Sequence, residues 1–175
     1  MRELAPKPKM SSPRVQERFY DCICVPHPQV MIFGLVRANV LRKTRLIGGY
    51  SSSDKVLLGE LALRGPFYEV LEPLFFRRAH PQQSFRRFSG RHAYQAWFDP
   101  SRAGRITFPH WRLLFEHSMA VARAPLTPVQ RIRCYVVVGW WVRFHWRHLA
   151  ANLVLREPVP WALKQRQLPV EAEAS

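Results

Sequence analysis

The residues of this chain that could do chemistry are few and scattered. Ser53-Asp54 opens a stretch with helical spacing. Serine is a good helix N-cap, and a carboxylate in the first turn is favoured by the helix dipole. An ionised carboxylate there could take a proton from a hydroxyl; the plainer reading is an ordinary helix-opening aspartate. His80 follows two arginines in Arg77-Arg78-Ala79-His80-Pro81. A neutral imidazole can ligate a divalent ion, and fixed guanidinium charge suits a diphosphate; the alternative is a loop histidine beside solvated arginines. His145 and His148 stand three apart on one helical face, a spacing that can bind metal, but no carboxylate or third histidine accompanies them on that helix. Cys22 and Cys24 have no second cysteine pair, so with Cys134 they read as reduced thiols. No Gly-x-Ser-x-Gly elbow is present.

Several elements must position these residues. Residues 1–16 are rich in Pro, Lys and Ser and read as a flexible lead-in. A short strand is predicted from Val30 to Leu35, with a helical turn from Arg37 to Lys43. The small polar loop 47–53 contains Gly48 and Gly49, read as loop glycines. A helix then runs from an N-cap at Ser53 to Gly65-Pro66, which cannot continue it. Two short strands follow, Phe67 to Leu71 and Leu74 to Arg77, and residues 85–108 read mainly as basic, aromatic loops. Two helices close the fold. One spans Pro109 to Ala122. The other starts at the capping box Thr127-Pro128-Val129-Gln130 and runs to about Leu155. Residues 156–175 read as a tail.

Composition narrows the class. At 175 residues and 47% hydrophobic, the chain can build a core and is not disordered by composition. Lys and Arg number 27 against 12 Asp and Glu, a formal charge of +15. That field favours anionic partners without choosing among nucleic acid, anionic lipid and phosphorylated substrates. The N-terminal residues lack the apolar region of a secretory signal, and no run of about 18 apolar residues suggests a membrane span. The expected location is cytoplasmic, with the option of the inner membrane surface.

Residues 33–84, FGLVRANVLRKTRLIGGYSSSDKVLLGELALRGPFYEVLEPLFFRRAHPQQS, resemble the closing segment of a family 2-type glycosyltransferase of the GT-A fold. The stretch Ile47 to Ser84 is the most specific, and with Trp97-Phe98-Asp99-Pro100 and the last helices the similarity extends from about Arg18 to Leu155. The resemblance implies an α/β fold. Residues 17–100 would be the C-terminal part of a GT-A domain, and 101–155 a basic, aromatic, mostly helical extension. It also implies hexosyl transfer from a nucleotide sugar to an acceptor hydroxyl, with inversion. By that resemblance Asp54 is the general base, in a family position that pairs Glu with Asp; Ser53 stands in place of the glutamate. Gly48 and Gly49 would line the acceptor loop. His80 would lie near the metal and diphosphate, with Arg77 and Arg78 as phosphate partners, and the cation would be Mg²⁺ or Mn²⁺.

The family's other half is not found here. Its Asp-x-Asp motif holds the metal across the donor diphosphate. The aspartates of this chain are Asp21, Asp54 and Asp99, and no two form that motif. The expectation is a truncated or split enzyme whose partner chain supplies the donor half, with little or no transfer by this chain alone. An apolar face is expected where that half would pack. The alternative is a non-enzymatic binder of anionic membrane surfaces or nucleic acid. The helix at 128–155, where Trp140, Trp141 and Trp146 interleave with Arg143 and Arg147, suits a membrane surface. Arg-aromatic runs such as Phe85-Arg86-Arg87-Phe88 suit nucleic acid.

Overall fold

Apolar side chains recur at three- and four-residue spacing in four stretches, and in the computed structural model each stretch is a helix. The structure describes residues 9–27, 29–70, 72, 76 and 108–154. The helices are α1 (Val15–Cys24), a single turn α2 (Ala38–Leu41), α3 (Ser53–Arg64), α4 (Pro109–Arg123) and α5 (Pro128–Leu153). Two 3-10 turns, Lys9–Ser11 and Gln29–Phe33, precede α1 and α2.

The described residues contain no strand, so the expected α/β class, a partial GT-A-like domain with short strands, is corrected to a helical fold. The β-branched and aromatic content of 30–35 suggested a strand, but a strand needs a neighbour to satisfy its backbone. The chain instead curls, and the Gly34 amide donates to the Met31 carbonyl at 3.1 Å. Phe67–Val70 has no partner strand among the described residues; the Phe67 amide donates to the Met10 carbonyl at 2.9 Å. The strand expected from Leu74 to Arg77 lies outside the described residues except Phe76, and the tail at 156–175 lies wholly outside them.

The four long helices form a closed ring of neighbours. α1 packs on α3 and α5, and α4 packs on the same two. Inside the ring lie Phe19, Leu58, Ala120, Val121 and Cys134, all essentially without solvent contact. Met10 and Val15 also join this core. Burial of each large side chain contributes roughly 1.5–3 kcal/mol. Gly59 on α3 permits the close approach of α1 and α4. A Cβ there would already sit 3.4 Å from both Ile23 and Phe19, and 3.7 Å from His117.

Helix boundaries follow local chemistry. Gly65 terminates α3, its amide bonded to the Leu61 carbonyl at 3.0 Å. At α5 the capping box forms as its sequence requires. Gln130 N–H donates to Thr127 Oγ1 at 3.3 Å, and Thr127 N–H donates to Gln130 Oε1 at 3.0 Å. The start of α3 differs from expectation by one residue. Ser52 is the cap, at φ 65°, with no side-chain capping bond, and Ser53 is the first helical residue. That left-handed backbone costs on the order of 1 kcal/mol for a non-glycine residue.

Contacts give the ring two distinct ends. Arg18 of α1 donates to the Ala62 carbonyl of α3 at 2.9 Å, and Arg131 of α5 donates to Ala124, just after α4, at 3.3 Å. The N-termini of α1 and α5 therefore meet the C-termini of α3 and α4. At the opposite end, the start of α4 meets the last turns of α5: the His110 amide donates to Asn152 Oδ1 at 3.1 Å, and Trp111 Nε1 donates to the Leu149 carbonyl at 3.1 Å.

Candidate functional site

Asp54 lies at this second end, in the first turn of α3 and partly exposed. Its Oδ1 accepts from the Lys55 amide at 2.9 Å. The loop before it is clamped by Tyr50, whose ring carries the Arg112 guanidinium 5.0 Å from its centre. Arg112 is in turn paired with the buried Glu116 at 2.8 Å, so α4 fixes the loop to the helix ring. Burial, then the nearby Glu116 charge, push the Tyr50 phenol up to about 12. Gly48 makes the clamp possible, since a Cβ there would come 2.5 Å from the Tyr50 ring. At Gly49 a Cβ would meet nothing within 4 Å. Ser53 is buried, and its hydroxyl oxygen has no hydrogen-bond partner among the described residues.

The structure thus brings Gly48, Gly49, Ser53 and Asp54 into one loop and helix start. Arg77, Arg78 and His80 lie outside the described residues. Beside Asp54 the structure gathers groups that no single motif announced. Lys55 turns toward the ring interior, where burial holds its amine below the usual lysine range while the adjacent Asp54 pushes the other way. Its charge is felt by Cys22 of α1, by His110 and His117 of α4 and by His145 of α5.

The histidines form a stack across α4 and α5. The His110 and His148 rings are parallel within 8°, with centres 4.8 Å apart. His145 stacks on Trp141 at 4.3 Å, and its Nδ1–H donates to the Trp141 carbonyl at 2.9 Å. Fully buried His117 meets Trp141 edge-on at 5.6 Å and Phe19 at 6.3 Å. Burial pushes three of these imidazoles toward the neutral form: His117 down to about 3, His110 to about 4, and His145 below its ordinary value. Nδ1 of His110, His117 and His148 has no hydrogen-bond partner among the described residues.

Metal chemistry does not follow from this arrangement. Although His110 joins His145 and His148, no three His, Cys, Asp or Glu side chains among the described residues are grouped to hold a metal ion. Nor do the acids present fit the Mg²⁺ or Mn²⁺ that the family resemblance implies. Glu60 is held by Arg123, Glu116 by Arg112, and Asp21 lies 3.3 Å from His27. Asp54 belongs to no group of three such side chains among the described residues. The cysteines are free thiols, with Cys22 and Cys24 pushed up to about 12 chiefly by burial, which makes them poor nucleophiles.

His110, His117, Tyr50, Arg112 and Lys55 were not foreseen as site residues. Tyr50 comes from the loop, Lys55 from α3 and the other three from α4, where the seven-residue spacing of His110 and His117 puts them on one face but nothing in the sequence joins that face to Tyr50 or Lys55. The one local signal was a lysine directly after Asp54 in a helix otherwise rich in apolar residues. No helix among the described residues is long and apolar enough to cross a membrane. No protein-family model, curated protein or solved structure matches the chain.

Proposed function

We propose that this chain supplies the acceptor side of a family 2-type inverting sugar transfer, with Asp54 as the base. The carrying observation is the placement of Asp54 as a part-exposed carboxylate in the first turn of α3, directly behind the Gly48–Gly49 loop that Tyr50 and Arg112 hold in place. In the proposed reaction the acceptor oxygen attacks the anomeric carbon. Its proton passes to the Asp54 carboxylate, and the nucleoside diphosphate departs with the electron pair of the broken bond. The reading takes over the reaction and the base from the sequence resemblance, without the sheet.

The reading requires a donor-binding half outside these 175 residues, and an exposed apolar surface beside the loop supports it. Leu46, Ile47, Val36, Met31, Ile32 and Leu57 line an apolar groove of about 480 Å³. Phe33 and Leu35 stand next to it at 67% and 107% exposure. Clustered exposed apolar side chains of this kind mark interaction surfaces. The divalent cation of the family would have to be held by that other half, and no step is assigned to it.

The test is amide-resolved NMR of the full chain titrated with hexosides and, separately, with UDP- and GDP-hexoses with and without Mn²⁺. Hexosides are expected to move the amides of Gly48, Gly49 and Asp54, while nucleotide sugars bind no more tightly than free hexose. Loop amides insensitive to every saccharide would overturn the proposal. So would nucleotide-sugar turnover that survives Asp54→Asn unchanged.

A further inference from the structure

One face of α5 serves neither the core nor the Asp54 site. Cys134, Val137, Val138, Trp141 and Leu149 turn inward. On the opposite side Ile132, Val136, Trp140, Phe144 and Trp146 are 48% to 65% exposed. Arg133, Arg143 and Arg147 are exposed among them. All 26 residues of the helix lack an acidic side chain, and at 1.5 Å per residue the face from Ile132 to Arg147 is about 24 Å long. A helix that is apolar on both sides has a second partner to find.

We infer that this outer face of α5 docks on an anionic lipid surface, lying in the plane of the headgroups. The chemistry of the face selects that occupant. Its rings suit the headgroup level, its aliphatic side chains suit the acyl boundary, and its guanidinium groups suit lipid phosphate. Ring and charge are presented together, with the Arg147 guanidinium 5.7 Å from the Trp146 ring centre and Trp140 stacked with Phe144 at 6.2 Å. The overall charge of +15 adds long-range attraction to the same surface. Across the shallow groove between α1 and α5, Glu17 is tied to Ser12 at 2.7 Å and to Arg14 at 3.1 Å, which offsets the negative charge at that border.

Other occupants fit less well. A second copy of the chain would set Arg133, Arg143 and Arg147 against the same arginines. A nucleic acid would use the arginines and rings but gains nothing from Ile132 and Val136, since bases are held by stacking and phosphates by charge. The face does not depend on the sugar-transfer reading, and its test is independent of it.

The experiment is co-sedimentation of the full chain with vesicles of phosphatidylcholine alone or mixed with phosphatidylglycerol. Binding is expected only to the anionic vesicles. Arg143→Gln with Arg147→Gln should weaken it about five-fold per charge removed. Trp140→Ala with Phe144→Ala should weaken it roughly ten-fold or more. Arg143→Lys with Arg147→Lys should restore most of it. The charge-matched control, Arg37→Gln with Arg42→Gln, should change it about two-fold or less. All six positions are solvent-facing, and an unchanged far-ultraviolet circular dichroism spectrum confirms that each variant folds. Absence of binding to anionic vesicles would overturn the inference, as would an equal loss in the control. A dimer that Trp140→Ala with Phe144→Ala dissolves would assign the face to a second copy instead. Nucleic-acid binding lost in the same variants while vesicle binding persists would assign it to nucleic acid.

Discussion

The two ends of the helix ring solve the same problem in opposite ways. At the end where α1 and α5 begin, the buried charged side chains each find a partner, although Arg123 Nη1 and Arg131 Nε make no hydrogen bond among the described residues. Glu60, 1% exposed, accepts from Arg123 and from the Arg45 amide, and Arg64 lies 3.8 Å away. Arg18 donates to the carbonyls of Ser12, Pro13 and Ala62. At the end where α3 and α4 begin, Glu116 is also paired, with Arg112, but His110 and His117 are imidazoles that burial keeps neutral, their Nδ1 atoms without a partner among the described residues, set near one lysine. Pairing makes the first end an anchor. Neutrality enforced by burial makes the second end responsive to protons, and Asp54 stands beside it.

The hardest way to break this contrast is to remove the centre of the anchor. Glu60→Ala would leave the Arg123 guanidinium, three-quarters buried, without its carboxylate, and the Arg45 amide without its acceptor. Loss of one partner from a buried pair costs about 3–5 kcal/mol, because the remaining charge stays desolvated. Urea unfolding of the full chain should show that loss. A change below about 1 kcal/mol would mean that the pairing is not what holds this end.

The second end should respond to acid instead. His117, pushed down to about 3 in the folded chain, ordinarily titrates near 6.5. Below that ordinary value the unfolded chain takes up a proton that the folded chain refuses. Stability from this group is therefore complete above about pH 6.5 and is lost progressively as pH falls toward 3. Between pH 7 and 5 the loss is roughly 2 kcal/mol for this one histidine. His110, pushed down to about 4, acts in the same sense over a narrower window. Urea midpoints should fall over that range, and His117→Phe should remove its share of the fall while leaving that of His110. An identical pH profile in the variant would separate the acid response from His117.

Much of the anchor was legible in the sequence, and little of the other end was. The Thr127/Gln130 box fixed the start of α5, and Gly65-Pro66 fixed the end of α3, because caps and breakers act through neighbours in the chain. α1 was missed, although Val15, Phe19, Cys22 and Ile23 follow helical spacing. The proline-rich residues before it read as a flexible lead-in that reached to residue 16, past the first residue of the helix. The apolar run from Val30 to Leu35 reads as a strand, but such a run pairs only where a sheet exists to receive it, and here Gln29–Phe33 is a 3-10 turn. The histidine stack could not be read at all. His110 and His148 become neighbours only when α4 folds back on α5, and Lys55 arrives from a third helix.

A milder contrast lies along α5 itself, whose first turn is closed by side chains at the anchor and whose last turn is closed by the Val154 backbone amide. Thr127→Ala removes one half of the capping box and should cost about 1 kcal/mol. Hydrogen exchange should quicken over the first turn, Val129 to Arg131. The final turn ends at Val154 without a capping glycine, and its exchange should be fast already and unaffected. Equal quickening at both termini would mean that the helix frays as one unit.

The smallest effect tests what keeps the imidazoles neutral. For His117 burial is the larger cause and the Lys55 charge the next, and the same lysine acts on His110 and His145. Lys55→Met keeps the stem and removes the charge, so burial should persist while repulsion disappears. The ring protons of His117 should then titrate at higher pH than in the parent chain and still below an ordinary histidine. His110 and His145 should move in the same direction, by less, because the Lys55 charge is the weakest of the influences on each. The acid sensitivity of folding should therefore soften without vanishing. Titration curves that do not move would place the ammonium too far from the stack to act on it. Curves that reach the ordinary histidine range would make charge, and not burial, the main reason that this end stays neutral.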